Sequence, residues 1–332
     1  VAHFNKITIL GDGGWGTTLA ILLSKKGLDV TLWSAFADYA KILEKKRINP
    51  NFLKGVKLPR KIRITSELKV ALFCDLIVLA VPSQYLRSVL ARGEKFYVLS
   101  RVPVVSVVKG IENKTLKRMS EVVHDVWHGA EVGVLSGPTI AQEVVHGIPT
   151  TAVVATRDPE FGAHLQNLFM TSAFRIYTND DVVGVELGGS LKNIIAITCG
   201  ISDGLGFGTN TKAAILSRGL AEMARLGQAM GAKKETFFGI SGLGDLVTTC
   251  FNPLSRNHFV GEKIASGLSL KKVMGRMKMV AEGVPTAKAA FLLGEKHGVD
   301  LPLINEINRV LFKNKSPQAA VKALMSRDKK AE

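Results

Sequence analysis

Cysteine is scarce in this chain. Only Cys74, Cys199 and Cys250 occur in 332 residues. Their wide spacing gives neither a disulfide framework nor the paired pattern of a zinc site, and it fits a reducing, cytoplasmic setting. Aromatic residues are few, at 7%, and none interleave with bases as an RNA-recognition module or zinc finger requires. Acid is in deficit: 28 Asp and Glu stand against 44 Lys and Arg, a net charge of +16. Long apolar runs are missing too. None reaches the ~18 residues of a membrane span, and no signal-peptide pattern opens the chain. Neither a membrane span nor a metal site is expected.

A surplus of base can mark nucleic-acid binding, a membrane surface or small anionic substrates. Here the bases are scattered, as in Lys25-Lys26, Lys45-Lys46-Arg47, Lys233-Lys234 and Lys271-Lys272. That distribution reads as a solvated basic surface rather than a nucleic-acid site. Hydrophobic residues at 46% and charged residues at 22% are ordinary globular values. At ~150 residues per domain the length suggests two domains.

The chain opens strand, glycine loop, helix, strand: Ile7 to Leu10, Gly11 to Gly16, Thr17 to Lys26, then Val30 to Trp33. Further apolar strands are expected at Leu76 to Val81, Val104 to Val108, Val132 to Leu135 and Thr151 to Ala155. They are apolar on both faces, as strands covered on both sides are. Alternation with helices implies a parallel sheet with right-handed crossovers. Near Val182 the pattern turns helical and stays so. The boundary is placed at residues 185/186, giving domains 1–185 and 186–332. The charged tail from Arg327 to Glu332 is expected to fray.

Gly11-Asp12-Gly13-Gly14-Trp15-Gly16 carries G-x-G-x-x-G directly after a strand and opens a helix. The first glycine permits the tight turn, and the second lets a pyrophosphate approach the backbone. The third allows close helix packing, and the helix N-terminus attracts the anion. A bare glycine turn is the plainer reading of the same residues. An acid at the end of the second strand would select NAD, and a base there would accept the 2′-phosphate of NADP. Trp33-Ser34-Ala35-Phe36 offers neither. Ser34 is a candidate phosphate donor, so NADP is slightly favoured over NAD.

Two later segments carry polar groups in unusual settings. Lys192-Asn193 sits between Gly188-Gly189 and the apolar Ile194-Ile195-Ala196-Ile197. It reads either as a functional lysine or as one that reaches solvent along its stem. In Gly242 to Cys250, Asp245 and Thr249 are spaced to share a helical face. Ser255-Arg256-Asn257 offers a hydroxyl, a guanidinium fork and an amide, donors suited to a phosphate monoester. Ser255 as a simple helix cap and Arg256 as a surface base are the alternatives.

Taken in order with Val81-Pro82-Ser83, Lys109-Gly110-Ile111-Glu112, Ser136-Gly137-Pro138-Thr139 and Asn210-Thr211-Lys212, these segments resemble the bacterial NAD(P)-dependent glycerol-3-phosphate dehydrogenases. The likeness runs from about residue 6 to residue 310. It implies an α/β fold, with an N-terminal Rossmann-type doubly wound sheet and an all-helical C-terminal domain. It implies a cytoplasmic enzyme, by analogy a homodimer. The reaction would be reversible hydride transfer between NADPH or NADH and dihydroxyacetone phosphate, giving sn-glycerol 3-phosphate for phospholipid synthesis. Lys192 would be the catalytic acid/base. Substrate contacts fall on Lys109, Gly137, Thr139, Asn193, Asp245, Thr249, Ser255, Arg256 and Asn257. Cofactor contacts fall on Gly11, Gly13, Gly14, Trp15, Gly16, Ser34, Lys109, Ala141, Arg256, Val280 and Glu282. The chain departs from the family where Arg or His often follows the second-strand Trp; here Ser34 stands.

Three other readings compete with this one. A β-hydroxyacid dehydrogenase of the 6-phosphogluconate type usually sets its lysine and asparagine four apart, whereas Lys192 and Asn193 are adjacent. A silent nucleotide sensor should lack the lysine or the phosphate donors, and both are present. A nucleic-acid binder would show salt-sensitive retention of DNA.

Overall fold

The computed structural model describes residues 4–277 and 279–329. Of the charged tail, residues 330–332 lie outside the described residues. The chain divides into two compact units: one up to Lys109 with Lys117–Glu186, the other Gly110–Leu116 with the chain from Leu187 on.

Among its described residues the first unit has ten strands: β1 (Lys6–Leu10), β2 (Asp29–Trp33), β3 (Ile48–Asn49), β4 (Leu53–Lys57), β5 (Arg63–Thr65), β6 (Leu76–Leu79), β7 (Val104–Ser106), β8 (Val132–Ser136), β9 (Thr150–Ala155) and β10 (Phe174–Asn179). Eight form one sheet in the order β10-β9-β8-β7-β6-β1-β2-β5, and β3 and β4 form a separate pair. Side chains alternate across a strand, and here they feed two cores. Ile7 and Ile9 join Val30, Leu32, Leu76 and Val78 against Leu19, Ala20 and Leu23 of the helix Gly14–Lys25. Leu10, Trp33, Ile77 and Leu79 point the other way, against Leu86, Leu90, Val122 and Val123. With helices on both faces, a strand has no solvent side, which is why the sequence shows unbroken apolar runs. β1 lies between β2 and β6, the point where an open α/β sheet reverses direction and binds ligands.

The sheet is not wholly parallel, contrary to the sequence expectation. β8 and β9 pair antiparallel, with Val134 opposite Ala155. The only helix between them is Ala141–Val145, five residues long, and it packs on the helix Gly14–Lys25. The connection has no long crossover helix of the kind that returns a chain parallel.

Among the described residues beyond Asn179 there is no strand. The helix Val182–Gly204 has a mean hydropathy of 1.4 over an 18-residue window, so by length and composition it passes for a membrane span. However, 89% of that window is buried within the protein, as in a core helix. The sequence reading missed this because Glu186 and Lys192 interrupt the run. Glycines bring a second helix, Arg256–Ala265, into backbone contact with it. A Cβ on Gly200 would lie 2.0 Å from the His258 carbonyl oxygen, and one on Gly261 2.0 Å from that of Ile197. Cys199 and Cys250 are buried free thiols in this unit. In the first unit, burial pushes the Cys74 thiol up to about 11.

One buried carboxylate stands apart from any catalytic expectation. Glu222, 1% exposed, lies on the helix Thr209–Ala229. It accepts from the backbone N–H groups of Leu303 (2.8 Å) and Ile304 (3.0 Å) at the start of the helix Pro302–Phe312. Burial outweighs these donors and pushes its carboxyl up to about 7. A raised carboxyl stabilises the fold fully below its unfolded value, and that stability is lost as pH rises through 7. Wild-type stability relative to Glu222→Gln should therefore fall between pH 4.5 and pH 8, by on the order of 3 kcal/mol. Urea midpoints of both proteins across that range check the slope.

Candidate active site

In the first unit the glycine loop follows β1. Gly11 has φ +127°, and a Cβ there would lie 2.6 Å from the Ala80 carbonyl group. At Gly16 a Cβ would meet the Gly11 oxygen at 2.0 Å, and at Gly14 the Phe52 oxygen at 2.7 Å. Gly13 differs: a Cβ there would meet nothing within 4 Å. Gly13 is also the N-cap of the helix Gly14–Lys25, and no side chain caps that helix. The loop is thus tight against the protein at Gly11, Gly14 and Gly16 and open at Gly13, with helix N–H groups beside the opening. A dinucleotide pyrophosphate fits such a cradle. The Trp15 ring packs edge-on against Phe174, centroids 6.2 Å apart, so the side chain anchors the helix to the core. Ala141 lies against the loop: its carbonyl accepts from the Thr18 hydroxyl at 3.2 Å, and its Cβ is 3.8 Å from a Cβ built on Gly14.

The sequence reading missed Asn49. It is fully buried, and its amide donates to the Asp12 carbonyl and to the Thr17 hydroxyl, both at 2.8 Å. Its own oxygen accepts from Tyr39 at 2.6 Å and from the Phe52 N–H at 3.1 Å. One amide therefore ties the glycine loop to the β3–β4 pair. The one available signal was a polar residue in the Asn-Pro-Asn turn of an otherwise charged stretch.

Three further predicted residues meet at the ends of β7 and β8. Lys109 donates to the Gly137 carbonyl at 2.8 Å and to the Thr139 hydroxyl at 3.4 Å. Gly137 needs its missing side chain, with φ +142°. Ser34, the residue after β2, is fully buried. It shares weak contacts of 3.3 and 3.4 Å with the Phe36 backbone.

In the second unit, Lys192 is 6% exposed. Its ammonium donates to the Asp245 carboxylate at 2.7 Å and to the Thr249 hydroxyl at 2.5 Å. Thr249 in turn donates to the Asp245 carbonyl at 2.7 Å. The local fold explains the meeting. Ile240–Gly244 forms a π-helical turn before the helix Asp245–Phe251, and such turns recur at functional sites. A Cβ on Gly188 would lie 2.8 Å from the Ser241 oxygen, and one on Gly242 2.1 Å from the Phe237 oxygen. Only glycine lets these segments approach. A reading of Lys192 as a lysine reaching solvent does not fit its burial.

The neighbouring residues form a second node. Asn257 donates to the Asn193 side-chain oxygen at 2.9 Å and accepts from the Gly283 N–H at 2.9 Å. Ser255 does cap its helix, accepting from the His258 N–H at 3.3 Å. Arg256 is exposed and donates to the Val280 carbonyl at 2.8 Å. Glu282, the N-cap of the helix Gly283–His297, adds its negative charge near Arg256. Asp203 and His258 carry no expectation from the sequence, and Lys212 enters it only within Asn210-Thr211-Lys212, with no role. Asp203 meets His258 at 2.7 Å and Lys212 at 2.8 Å, and the hydrogen bonds from these two side chains hold its carboxyl below the ordinary range against the cost of burial. This network fixes the first turn of the helix that carries Arg256 and Asn257. A cavity of about 540 Å³ in the same unit, bordered by Ile215, Leu303, Val310 and Leu324, includes none of the predicted residues.

Asn49→Ala should leave the loop's buried acceptors unpaired, at about 1–3 kcal/mol. It should also loosen dinucleotide binding. Urea unfolding and a nicotinamide fluorescence titration check the two effects.

Comparison with known proteins matches this geometry to a family. The model for the N-terminus of NAD-dependent glycerol-3-phosphate dehydrogenase matches residues 6–162, and that for its C-terminus matches residues 181–322. Glycerol-3-phosphate dehydrogenase [NAD(P)+] of Geobacter metallireducens is 49% identical over 98% of both chains, and that of Geobacter sulfurreducens is 48% identical over 98% of both. The crystal structure of glycerol-3-phosphate dehydrogenase from Coxiella burnetii has a TM-score of 0.94 at 35% identity, covering 98% of this chain and 99% of that one. The chain belongs to the NAD(P)-dependent glycerol-3-phosphate dehydrogenase family.

Proposed function

We propose that this chain catalyses reversible hydride transfer between NAD(P)H and dihydroxyacetone phosphate, forming sn-glycerol 3-phosphate, the backbone of phospholipids. The observation that carries this reading is the buried Lys192 ammonium, held by Asp245 and Thr249 beside the Asn193–Asn257 pair. The family match supports the substrate and the NAD(P) dependence. The cofactor, when bound, supplies or accepts the hydride. In this reading the first unit holds the dinucleotide through Gly11, Gly13, Gly14, Trp15, Gly16 and Ala141. The second unit holds the substrate.

The remaining steps belong to the chain's own residues. A ketone that gains a hydride becomes an alkoxide, which needs a cation and then a proton. Protonated Lys192 supplies both. Asp245 offsets the cost of burying that ammonium and, with Thr249, aims it. Ser255, Arg256 and Asn257 would take the phosphate, fixing the carbonyl for attack. The enzyme works as a cytoplasmic homodimer in this reading. Gel filtration with light scattering tests the dimer.

If Lys192 moves the proton, Lys192→Ala should cut kcat by ~10²–10⁴ while leaving dinucleotide affinity unchanged. Lys192→Arg should fail as well, since guanidinium keeps its proton near neutral pH. Stopped-flow rates on protein shown to be folded decide the matter. A Lys192→Ala enzyme that keeps more than about a tenth of wild-type kcat would exclude Lys192 as the acid/base.

Arg256 tests the phosphate site. Arg256→Ala should raise KM for dihydroxyacetone phosphate and lower kcat, together about 2–4 kcal/mol in kcat/KM. The variant should respond far less when the substrate is replaced by a ketone without phosphate. Equal losses on both substrates would remove Arg256 from the phosphate site.

A further inference from the structure

The cavity of about 540 Å³ in the second unit has no role in the proposed reaction, yet it is built like a ligand site. Its volume falls within the ~300–1,000 Å³ of small-molecule pockets. Its walls come from the helices Val182–Gly204, Thr209–Ala229, Pro302–Phe312 and Pro317–Met325. In the last of these only Ala320 is buried, although Val321 and Leu324 line the cavity. That helix roofs the space without filling it.

The lining is mainly aliphatic, and most of its charged side chains are committed elsewhere. Glu222 accepts from the Leu303 and Ile304 N–H groups. Glu306 pairs with Arg309 at 2.7 Å and with Lys315 at 2.5 Å. Arg327 pairs with Asp300 at 2.7 Å. Asp328 is exposed and flanked in the chain by Arg327 and Lys329. Arg218 differs: it lines the cavity, is half-buried, and makes no ion pair or hydrogen bond among the described residues.

We propose that this cavity binds the anion of a single-chain fatty acid, with the chain among Ile215, Leu303, Val310 and Leu324 and the carboxylate on the Arg218 guanidinium. The proposal is independent of the active-site reading.

The lining selects the chain. A sugar, a nucleobase or a peptide would give up hydrogen bonds to water and find few unengaged partners on these walls. An aliphatic chain gives up none. Charge selects the head group. A guanidinium fork matches a carboxylate in shape and sign. Orientation follows from Glu222, which stands one helical turn beyond Arg218 and is 1% exposed. A second carboxylate beside it would be repelled, so the acid enters tail first and keeps its head at Arg218.

The test is calorimetric titration of the full chain with dodecanoate and with dodecanol, each below the concentration at which it aggregates, at about pH 8, where the acid is ionised. Dodecanoate should bind saturably, one per chain, and about tenfold more tightly than dodecanol, the scale of one charge-assisted contact. Arg218→Gln removes the charge and keeps a polar side chain. It should weaken dodecanoate about tenfold and leave dodecanol unchanged. Ala214 is exposed and lines the cavity. Ala214→Trp should fill the space and abolish binding of both compounds, and circular dichroism should show both variants folded. Absence of saturable dodecanoate binding by wild type overturns the inference. So does equal binding of acid and alcohol, or equal weakening of the two in Arg218→Gln. Wild-type binding by a folded Ala214→Trp protein overturns it as well. Light scattering in which Ala214→Trp splits a dimer, with no dodecanoate bound by wild type, would give the cavity to a second copy of the chain and also overturns it.

Discussion

An ammonium taken out of water needs an anion within hydrogen-bond reach, or its burial costs more than a domain can spare. The second unit is organised around meeting that need for Lys192. Asp245 must come within 2.7 Å of it from a segment more than fifty residues later in the chain. The glycines at 188 and 242 remove the side chains that would hold the segments apart. The π-helical turn Ile240–Gly244 sets where the helix with Asp245 and Thr249 begins. Thr249 then spans the lysine and the Asp245 backbone. Each feature alone is a weak signal, and together they have one physical purpose.

The two units use different solutions to the problem of covering apolar surface. In the first, alternate side chains of the same strands serve two cores, so the sheet has no wet face. In the second, helices approach one another where glycine replaces a side chain. The helix Val182–Gly204 is apolar enough to suit a bilayer, but its neighbours take the place of lipid. Several polar side chains in that setting partner one another, as in Asn193 with Asn257 and Asp203 with His258 and Lys212.

Much of the fold was legible because period-two alternation, apolar runs and the glycine fingerprint are local. The reversal of β9 was not, because a strand's direction depends on what its connection packs against rather than on its own residues. In the site, Lys192, Asp245 and Thr249 could be picked out as unusual residues in apolar surroundings, but their meeting depends on tertiary approach. Asn49 and Asp203 were invisible for a related reason. Their partners are backbone carbonyls, hydroxyls and distant side chains, and no spacing in the sequence encodes these. Ser255 shows the reverse case: the plain reading as a helix cap is borne out in geometry, and a cap can still present its residue's neighbours to a ligand.

The crossing of the helices Val182–Gly204 and Arg256–Ala265 has a mechanical consequence. Their separation at Gly200 and Gly261 is set by main-chain atoms in contact. It does not depend on side chains that could change rotamer or be repacked. Main-chain contact cannot be compressed, and any added methyl group would act as a wedge. The crossing therefore works as a fixed gauge. Asn257 and His258 ride on one arm, Asn193 and Asp203 on the other, and the distances between them follow from the gauge rather than from the strength of their hydrogen bonds. The amide pair and the Asp203 network can then be weakened or exchanged without losing register, whereas the two glycines cannot.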